Sequence, residues 1–187
     1  MLLRAAIFRV SLGYNLAMKV LANRSWWSRI DDHIILGALP LADRGHHLLL
    51  QREGVAAVVT MNEPFEMQPT RLGRPVTPDD WRELGIVQHL AATRDFAPPT
   101  LDSLASCVTF VADHVARGET VYVHCKAGRG RSTIVVAAYF MQAHDWSIDQ
   151  ALDFIKQKRP HIAKSRAILR QFQAHLAAQR PDVIPLE

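Results

Sequence analysis

Cysteine is scarce in this sequence. Only Cys107 and Cys125 occur among 187 residues, which excludes the dense disulfide framework of a small secreted domain. Two cysteines without such a framework are typical of free thiols in a reducing compartment. Zinc ligation by His124 and Cys125 is disfavoured, because no other Cys or His lies at zinc-ligand spacing and Arg131 would repel a cation. We therefore expect neither a metal nor a cofactor.

Acidic residues are absent from the N-terminus, where the first is Asp31. The cations before it are Arg4, Arg9, Lys19, Arg24 and Arg29. Such a composition is typical of targeting segments, and apolar residues recur on one helical face, although the other face is apolar too. Residues 1–25 are therefore predicted to form a membrane-associating or targeting helix, and a plain helix packed on the domain is the alternative.

A long hydrophobic run is also missing. The longest uncharged stretch near the N-terminus, Val10 to Met18, is far below the ~18 apolar residues of a membrane span. No small-residue cleavage site follows it, so a secretory signal peptide is not expected. No internal repeat or low-complexity tract is present, and we predict one domain over residues 26–180 with a tail at 181–187. The net charge of +4 favours anionic partners.

Strand and helix patterns alternate along the predicted domain. The apolar, β-branched runs that predict buried strands cover residues 33–39, 55–61, 86–91 and 120–124. Helices are predicted at 43–53, 100–118, 132–144, from the capping box at Ser147 to Pro160, and at 164–177. Segments 62–80 and 94–100 are predicted loops. This alternation indicates an α/β domain with a central, mainly parallel sheet and helices on both faces.

The passage HCKAGRGRST, residues 124–133, lies between a predicted strand and a helix. A loop in this position directs backbone N–H groups and the positive end of the helix dipole at one point, which favours an anion. Gly128 and Gly130 allow the backbone to curl around that point. We predict that residues 124–130 bind the anion, namely His124, Lys126, Ala127, Gly128, Arg129 and Gly130.

Cys125 opens this loop. The helix dipole and the cations Lys126, Arg129 and Arg131 are expected to lower the pKa of its thiol, which makes it a nucleophile. At the other end of the loop, the planar guanidinium of Arg131 can hold two phosphoryl oxygens. Ser132 can donate its hydroxyl to the sulfur. An inert buried thiol is the alternative for Cys125, and it is the interpretation that we favour for Cys107 on an apolar helix face.

The motif HCKAGRGRS resembles the signature of the protein tyrosine and dual-specificity phosphatase superfamily. Further segments resemble the mitochondrial-type dual-specificity phosphatases that convert phosphatidylglycerophosphate to phosphatidylglycerol. These segments are WWSRIDDHIILGALPL, VVTMNEPFE, WRELGI, PPTLDSL and VYVHCKAGRGRSTIVVAAYFM, within residues 26–175. The resemblance implies a dual-specificity phosphatase-like fold and a phosphocysteine intermediate.

The resemblance also implies a general acid, supplied by a loop about thirty residues before the cysteine. Asp95 is the matching residue, and such a loop can close over bound phosphate. Asp102 and Asp113 are alternative candidates for the general acid by their sequence separation from the cysteine. However, Asp102 is expected to stabilise the first turn of its helix, and Asp113 lies on a helix face. Near Ser165 the family often has a Gln, so the group that orients the hydrolytic water stays open.

The function that follows is dephosphorylation of phosphatidylglycerophosphate at a membrane surface. The extra loop cations Lys126 and Arg129 favour a polyanionic lipid headgroup over a phosphotyrosine. Alternatives are a phosphoprotein or phosphoinositide phosphatase and a non-catalytic phosphate-binding module, and no nucleic-acid partner is expected. The location would be the mitochondrial inner membrane in a eukaryote, and a membrane or the cytoplasm in a bacterium.

Overall fold

A five-stranded sheet lies at the centre of the computed structural model, which describes residues 2–21, 24–163 and 165–179. The strands are β1 (Trp27–Arg29), β2 (Ile34–Gly37), β3 (Val55–Thr60), β4 (Val87–Leu90) and β5 (Thr120–His124). The helices are α1 (Leu2–Leu21), α2 (His46–Arg52), α3 (Pro78–Glu83), α4 (Leu101–Ala116), α5 (Arg131–His144), α6 (Ile148–Lys158) and α7 (Ala167–Gln179). The predicted tail at 181–187 lies outside the described residues.

The sheet order is β1-β2-β5-β3-β4, and all pairings are parallel except the antiparallel pairing of β1 with β2. The prediction of a mainly parallel sheet is confirmed. The carboxyl ends of β3 and β5 lie side by side, with Thr60 opposite His124. Loops that follow parallel strands meet at one edge of the sheet, so the segments after β3, β4 and β5 can build one site there.

Helices cover both faces of the sheet, as predicted. On one face α4, α6 and α7 pack around α5, whose residues 131–141 are all buried. On the other face Leu50 of α2 and Trp81 of α3 pack against Ile35, Val58 and Tyr122 of the sheet. The apolar character of α5 on nearly every side follows from this central position.

Two local predictions were wrong, and one strand was not predicted. The predicted helix at 43–53 is a short 3₁₀ turn and then α2, because Gly45 adopts a left-handed conformation with φ of 65° between them. The predicted loop at 62–80 contains a 3₁₀ turn at Pro64–Met67 and the start of α3, which Thr77 caps. β1 was not predicted, because three residues are too few for a periodic pattern.

Helix α1 packs on the domain. Phe8 and Leu12 are buried in a cluster with Trp26, Leu39 and Leu41, which favours the packed-helix alternative for this segment. Other apolar side chains of the same helix stay in solvent, namely Ile7, Val10, Tyr14 and Leu21. Among the described residues, no helix has the length and apolar character needed to cross a membrane.

Candidate active site

The loop between β5 and α5 is held in a tight curve against β2. Gly128 has a φ of 62°, and a Cβ at this position would overlap the backbone carbonyl of Gly37. Only glycine combines that conformation with such close approach of two backbones. This conformation of the loop brings Arg131, at the start of α5, close to Cys125, which directly follows β5.

Cys125 is buried at the base of this loop. The hydroxyl of Ser132 lies 3.2 Å from its sulfur and donates a hydrogen bond to it. Burial raises the pKa of the Cys125 thiol, but the charge of Arg131 and hydrogen bonds from Ser132 and the Ala127 amide outweigh it, so the pKa is lowered. A lowered pKa increases the thiolate fraction, and the thiolate is the nucleophilic form of cysteine.

Arg131 makes a two-pronged contact with a buried carboxylate. Its Nη1 and Nη2 atoms lie 2.7 and 3.0 Å from the two carboxylate oxygens of Glu66, which is fully buried. Nη1 also donates to the carbonyl oxygens of Met61 and Thr93. These contacts fix the plane of the guanidinium, so its remaining N–H groups have a defined direction.

Glu66 was not predicted from the sequence. It lies in the segment after β3, and its carboxylate also accepts a hydrogen bond from the backbone N–H of Glu63 at 2.8 Å. A usable signal was present, because glutamates at positions 63 and 66 follow a buried parallel strand. Polar groups just beyond such strands commonly belong to a site.

Asp95 lies in the same group of charges. Its Oδ1 atom is 3.1 Å from Nη2 of Arg131, and its Oδ2 atom contacts the Nζ atom of Lys126. The structure therefore brings Asp95 to the loop, as the resemblance implied, whereas Asp102 occupies the first turn of α4. Phe96, the next residue, has a φ of 61° and its ring is 85% exposed.

A cavity of about 330 Å³ opens above Cys125. Its walls come from the Asp95 loop, from α1, from α5 and from the segment after α6, and they include Phe96, Pro98, Ser11, Asn15, Ile134 and Ser165. Five predicted loop and clamp residues line it, namely Lys126, Ala127, Arg129, Gly130 and Arg131. Apolar walls above a cationic floor suit a ligand with an anionic end and an apolar body.

Two of the predicted binding residues lie behind the loop instead. The His124 ring is fully buried, stacks on Tyr122 and contacts the Thr60 hydroxyl at 2.8 Å. Burial, chiefly, lowers the pKa of His124 to about 3, so the ring is neutral. Gly128 faces Gly37. Any effect of these two residues on a bound anion would act through the shape of the loop.

Arg159 supports the loop from behind and was also not predicted. The side chain is buried, and its Nε atom donates to the Gly128 carbonyl at 2.7 Å, while Nη2 donates to that of Ala127 at 3.3 Å. Burial lowers the pKa of Arg159 to about 10. Its position just before Pro160, at the end of α6, gave no sign of this role.

Cys107 is a packing residue, as expected. It is fully buried in α4 beside Met61, and burial raises its pKa to about 12. A thiol with that pKa is almost wholly protonated near neutrality and is a poor nucleophile. The two cysteines therefore differ in reactivity because only Cys125 has a cation and hydrogen-bond donors beside it.

Alkylation kinetics can measure this difference. Iodoacetamide is expected to modify Cys125 and leave Cys107 free in the folded protein, as mapped by mass spectrometry. In Ser132→Ala the hydrogen-bond donor to the Cys125 sulfur is lost, so the pKa of the thiol rises. The pH at which the alkylation rate is half-maximal is therefore expected to rise by about one pH unit. Ser106→Ala, on the exposed side of α4, is the matched control. An unchanged midpoint in Ser132→Ala would contradict the hydrogen-bond assignment.

Comparison with known proteins agrees with this geometry. The family model for the dual specificity phosphatase catalytic domain matches residues 82–176. The chain is 41% identical over 162 residues to the rat protein named phosphatidylglycerophosphatase and protein-tyrosine phosphatase 1, covering 84% of this chain and 81% of that one. The human protein of the same name is 40% identical, with 84% and 78% covered.

A solved structure is similar as well. The crystal structure of PTPMT1 in complex with PI(5)P is 39% identical, has a TM-score of 0.72 and covers 82% of this chain and 98% of that one. The similarity extends over most of both chains, and the residues matched by the family model include the loop of residues 124–131. The chain therefore belongs to the dual specificity phosphatase family and is a cysteine-based phosphoric monoester hydrolase.

Proposed function

We propose that this phosphatase removes the terminal phosphate of phosphatidylglycerophosphate and releases phosphatidylglycerol. The observation that carries the proposal is the cavity above Cys125, which combines a floor of Lys126, Arg129 and Arg131 with largely apolar walls. A phosphotyrosine site needs fewer cations, whereas a lipid headgroup with two phosphates matches more of them. The names of the rat and human relatives support the same substrate.

The proposed reaction has two steps. The Cys125 thiolate attacks phosphorus in line, the bond from phosphorus to the glycerol oxygen breaks, and Asp95 protonates that oxygen, which leaves as the alcohol. Water then attacks the phosphocysteine, Asp95 takes its proton, and the thiolate departs with the Ser132 hydroxyl bonded to it. Arg131 and the loop amides stabilise the charge on the equatorial oxygens in both steps.

Asp95 has to change partners during this cycle. Its contact with Nη2 of Arg131 uses an N–H group that the proposed phosphate would need. A bound phosphate therefore competes with the Asp95 carboxylate for Arg131, and the displaced carboxyl group is then free to face the leaving oxygen. Phe96, with its positive φ and exposed ring, adjoins the residue that moves.

Asp95→Asn tests this role. With an alkyl phosphate kcat is expected to fall by about 10²–10³-fold, because the alkoxide needs a proton, and with an aryl phosphate of acidic leaving group by less than tenfold. Vanadate is expected to bind several-fold more tightly, because the competing carboxylate is gone. Asp102→Asn on α4 makes the same change outside the cavity and is the control. Equal losses on both substrates would identify another acid.

A substrate panel tests the choice of substrate. Purified full-length protein would be assayed with phosphatidylglycerophosphate, PI(5)P and a phosphotyrosine peptide in the same detergent micelles. We expect the highest kcat/KM for phosphatidylglycerophosphate, because it alone pairs a flexible glycerol phosphate with a second phosphate nearby. A higher value for the peptide would favour protein phosphatase activity, to which the relatives' names also refer. A higher value for PI(5)P would favour a phosphoinositide.

We further propose that residues 1–25 bring the catalytic domain, residues 26–180, to a membrane surface. Val10 is 75% exposed and Ile7 45% exposed on α1, and Ile7 lines a small cavity together with Phe96. Exposed apolar side chains on a helix that lacks acidic residues suit an interface with anionic lipid. The membrane would be the mitochondrial inner membrane if the source is a eukaryote.

The membrane proposal needs a surface variant, because removing α1 would uncover Trp26, Leu39 and Leu41. Val10→Ser is expected to weaken binding to vesicles of phosphatidylcholine and phosphatidylglycerol by about three- to tenfold, since the valine side chain that would enter the lipid interface is lost. Val87→Ser makes the same change at an exposed position of the edge strand β4 and is the control. Equal vesicle binding by both variants would contradict the proposal.

A further inference from the structure

A second group of basic side chains lies beside the catalytic cavity. Arg24 precedes β1, Arg129 belongs to the loop of residues 124–131, and His161 follows α6. These three side chains line one depression together with Asn15 of α1 and with Arg159. The basic and amide side chains of this depression thus come from four segments of the chain, namely α1, the residues before β1, the loop of residues 124–131, and the end of α6 with the residues that follow it.

The charges in this depression are not balanced by the protein. None of the residues lining it is acidic, and in the described part of the chain no ion pair joins Arg24 or Arg129 to a carboxylate. Burial and then the charges of Arg159, Arg24 and Arg129 lower the pKa of His161 to about 4. The cations that contribute to this lowered pKa also attract an anion.

The arrangement is held by hydrogen bonds. The Ala163 amide donates to the Arg129 carbonyl at 2.7 Å, which ties the segment carrying His161 to the loop. Arg159 donates from Nη1 to the Ser25 carbonyl at 3.3 Å and from Nε to the Gly128 carbonyl at 2.7 Å. It therefore connects the segment next to Arg24 with the loop and the end of α6. The backbone segments that carry Arg24, Arg129 and His161 are therefore held next to one another.

The depression adjoins the catalytic cavity. Asn15, Ala127 and Arg129 line both of them. One molecule can therefore place a phosphate above Cys125 and a second anionic group beside Arg129. In a glycerol-bridged headgroup the monoester and the phosphodiester are separated by only three carbons, so the second group remains close to the first.

We propose that Arg24, Arg129 and His161 form a second anion subsite that binds the phosphodiester of the substrate while its terminal phosphate lies above Cys125. This inference rests on the proposed function, because only a substrate with two phosphates fills both positions. The group recognised is a phosphate-type oxyanion with oxygens free to accept from guanidinium and imidazole N–H groups. Free inorganic phosphate has the same chemistry and is the competing source of such an anion.

Kinetics with two soluble substrates test the subsite. One is deacylated phosphatidylglycerophosphate, which keeps the monoester and the phosphodiester, and the other is glycerol 3-phosphate, which has the monoester alone. In Arg24→Gln the KM for the diphosphorylated substrate is expected to rise by about five- to tenfold relative to the KM for glycerol 3-phosphate. Arg170→Gln removes the same charge from the exposed side of α7, lines neither cavity and is expected to leave both KM values unchanged. An unchanged ratio in Arg24→Gln would overturn the proposal.

Binding without turnover separates this inference from the proposed function. Glycerophosphoglycerol has the phosphodiester and no monoester, and it is expected to raise the NMR-measured pKa of His161, since a nearby anion favours imidazolium. His161→Gln assigns the signal. If the panel favours another substrate and this shift still occurs, the subsite stands and the proposed substrate fails. If inorganic phosphate produces the shift and glycerophosphoglycerol does not, the site binds free phosphate and the phosphodiester assignment is overturned.

Discussion

Cys125→Ser is expected to reduce kcat on every phosphomonoester by at least about 10⁴-fold, because the attacking group is lost. A serine hydroxyl is a far weaker acid than a thiol, so the contacts with Arg131 and Ser132 that lower the pKa of the Cys125 thiol do not suffice to make the serine an alkoxide. Stopped assays at high enzyme concentration with an aryl phosphate would measure the residual rate. No phosphoenzyme should be trapped by acid quenching in the variant.

The same variant is expected to fold and to bind phosphate analogues. Oxygen is smaller than sulfur, and the Ala127 amide, Arg131 and the rest of the loop stay in place. Cys107→Ser is the matched control, since it makes the same atomic change in the apolar core beside Met61. There we expect lower stability and nearly unchanged kcat. Wild-type turnover in Cys125→Ser would exclude the covalent mechanism.

The loop and the main elements could be predicted because they depend on local rules. Glycines at 128 and 130, a buried strand before them and an apolar helix after them are all visible within residues 120–144. Apolar runs placed β3 and β5 within a residue of their observed ends. The resemblance then supplied Asp95, and its contacts with Lys126 and Arg131 agree with that choice.

The unpredicted parts depend on contacts distant in sequence. Glu66 meets Arg131 across 65 residues, and Arg159 meets Ser25 across 134. Neither pair has a periodic pattern, since each depends on how the sheet and helices are assembled. The inner face of α1 was ambiguous for a related reason, because both faces are apolar and only the partner surface decides which one is buried.

Arg131→Lys is expected to lower kcat/KM by about 10³-fold, although it keeps the positive charge. Arg131 uses Nη1 and Nη2 for Glu66, and it also lines the cavity above Cys125. A lysine has one ammonium group, so it cannot hold the two Glu66 oxygens and two phosphoryl oxygens at the same time. Vanadate affinity and kcat/KM on an aryl phosphate would both be measured.

Stability should fall in Arg131→Lys as well, by about 2 kcal/mol, because the fully buried Glu66 carboxylate loses one of its two charged hydrogen bonds. Arg74→Lys is the matched control. Arg74 makes the same two-pronged contact, at 2.7 and 3.1 Å with Asp80, but its side chain is 44% exposed and lies outside the cavity. An exposed pair contributes little, so that variant should keep both stability and activity. If Arg131→Lys retained most of its kcat/KM below its melting temperature, the guanidinium would not be the phosphate clamp, and Lys126 would be the next residue to substitute.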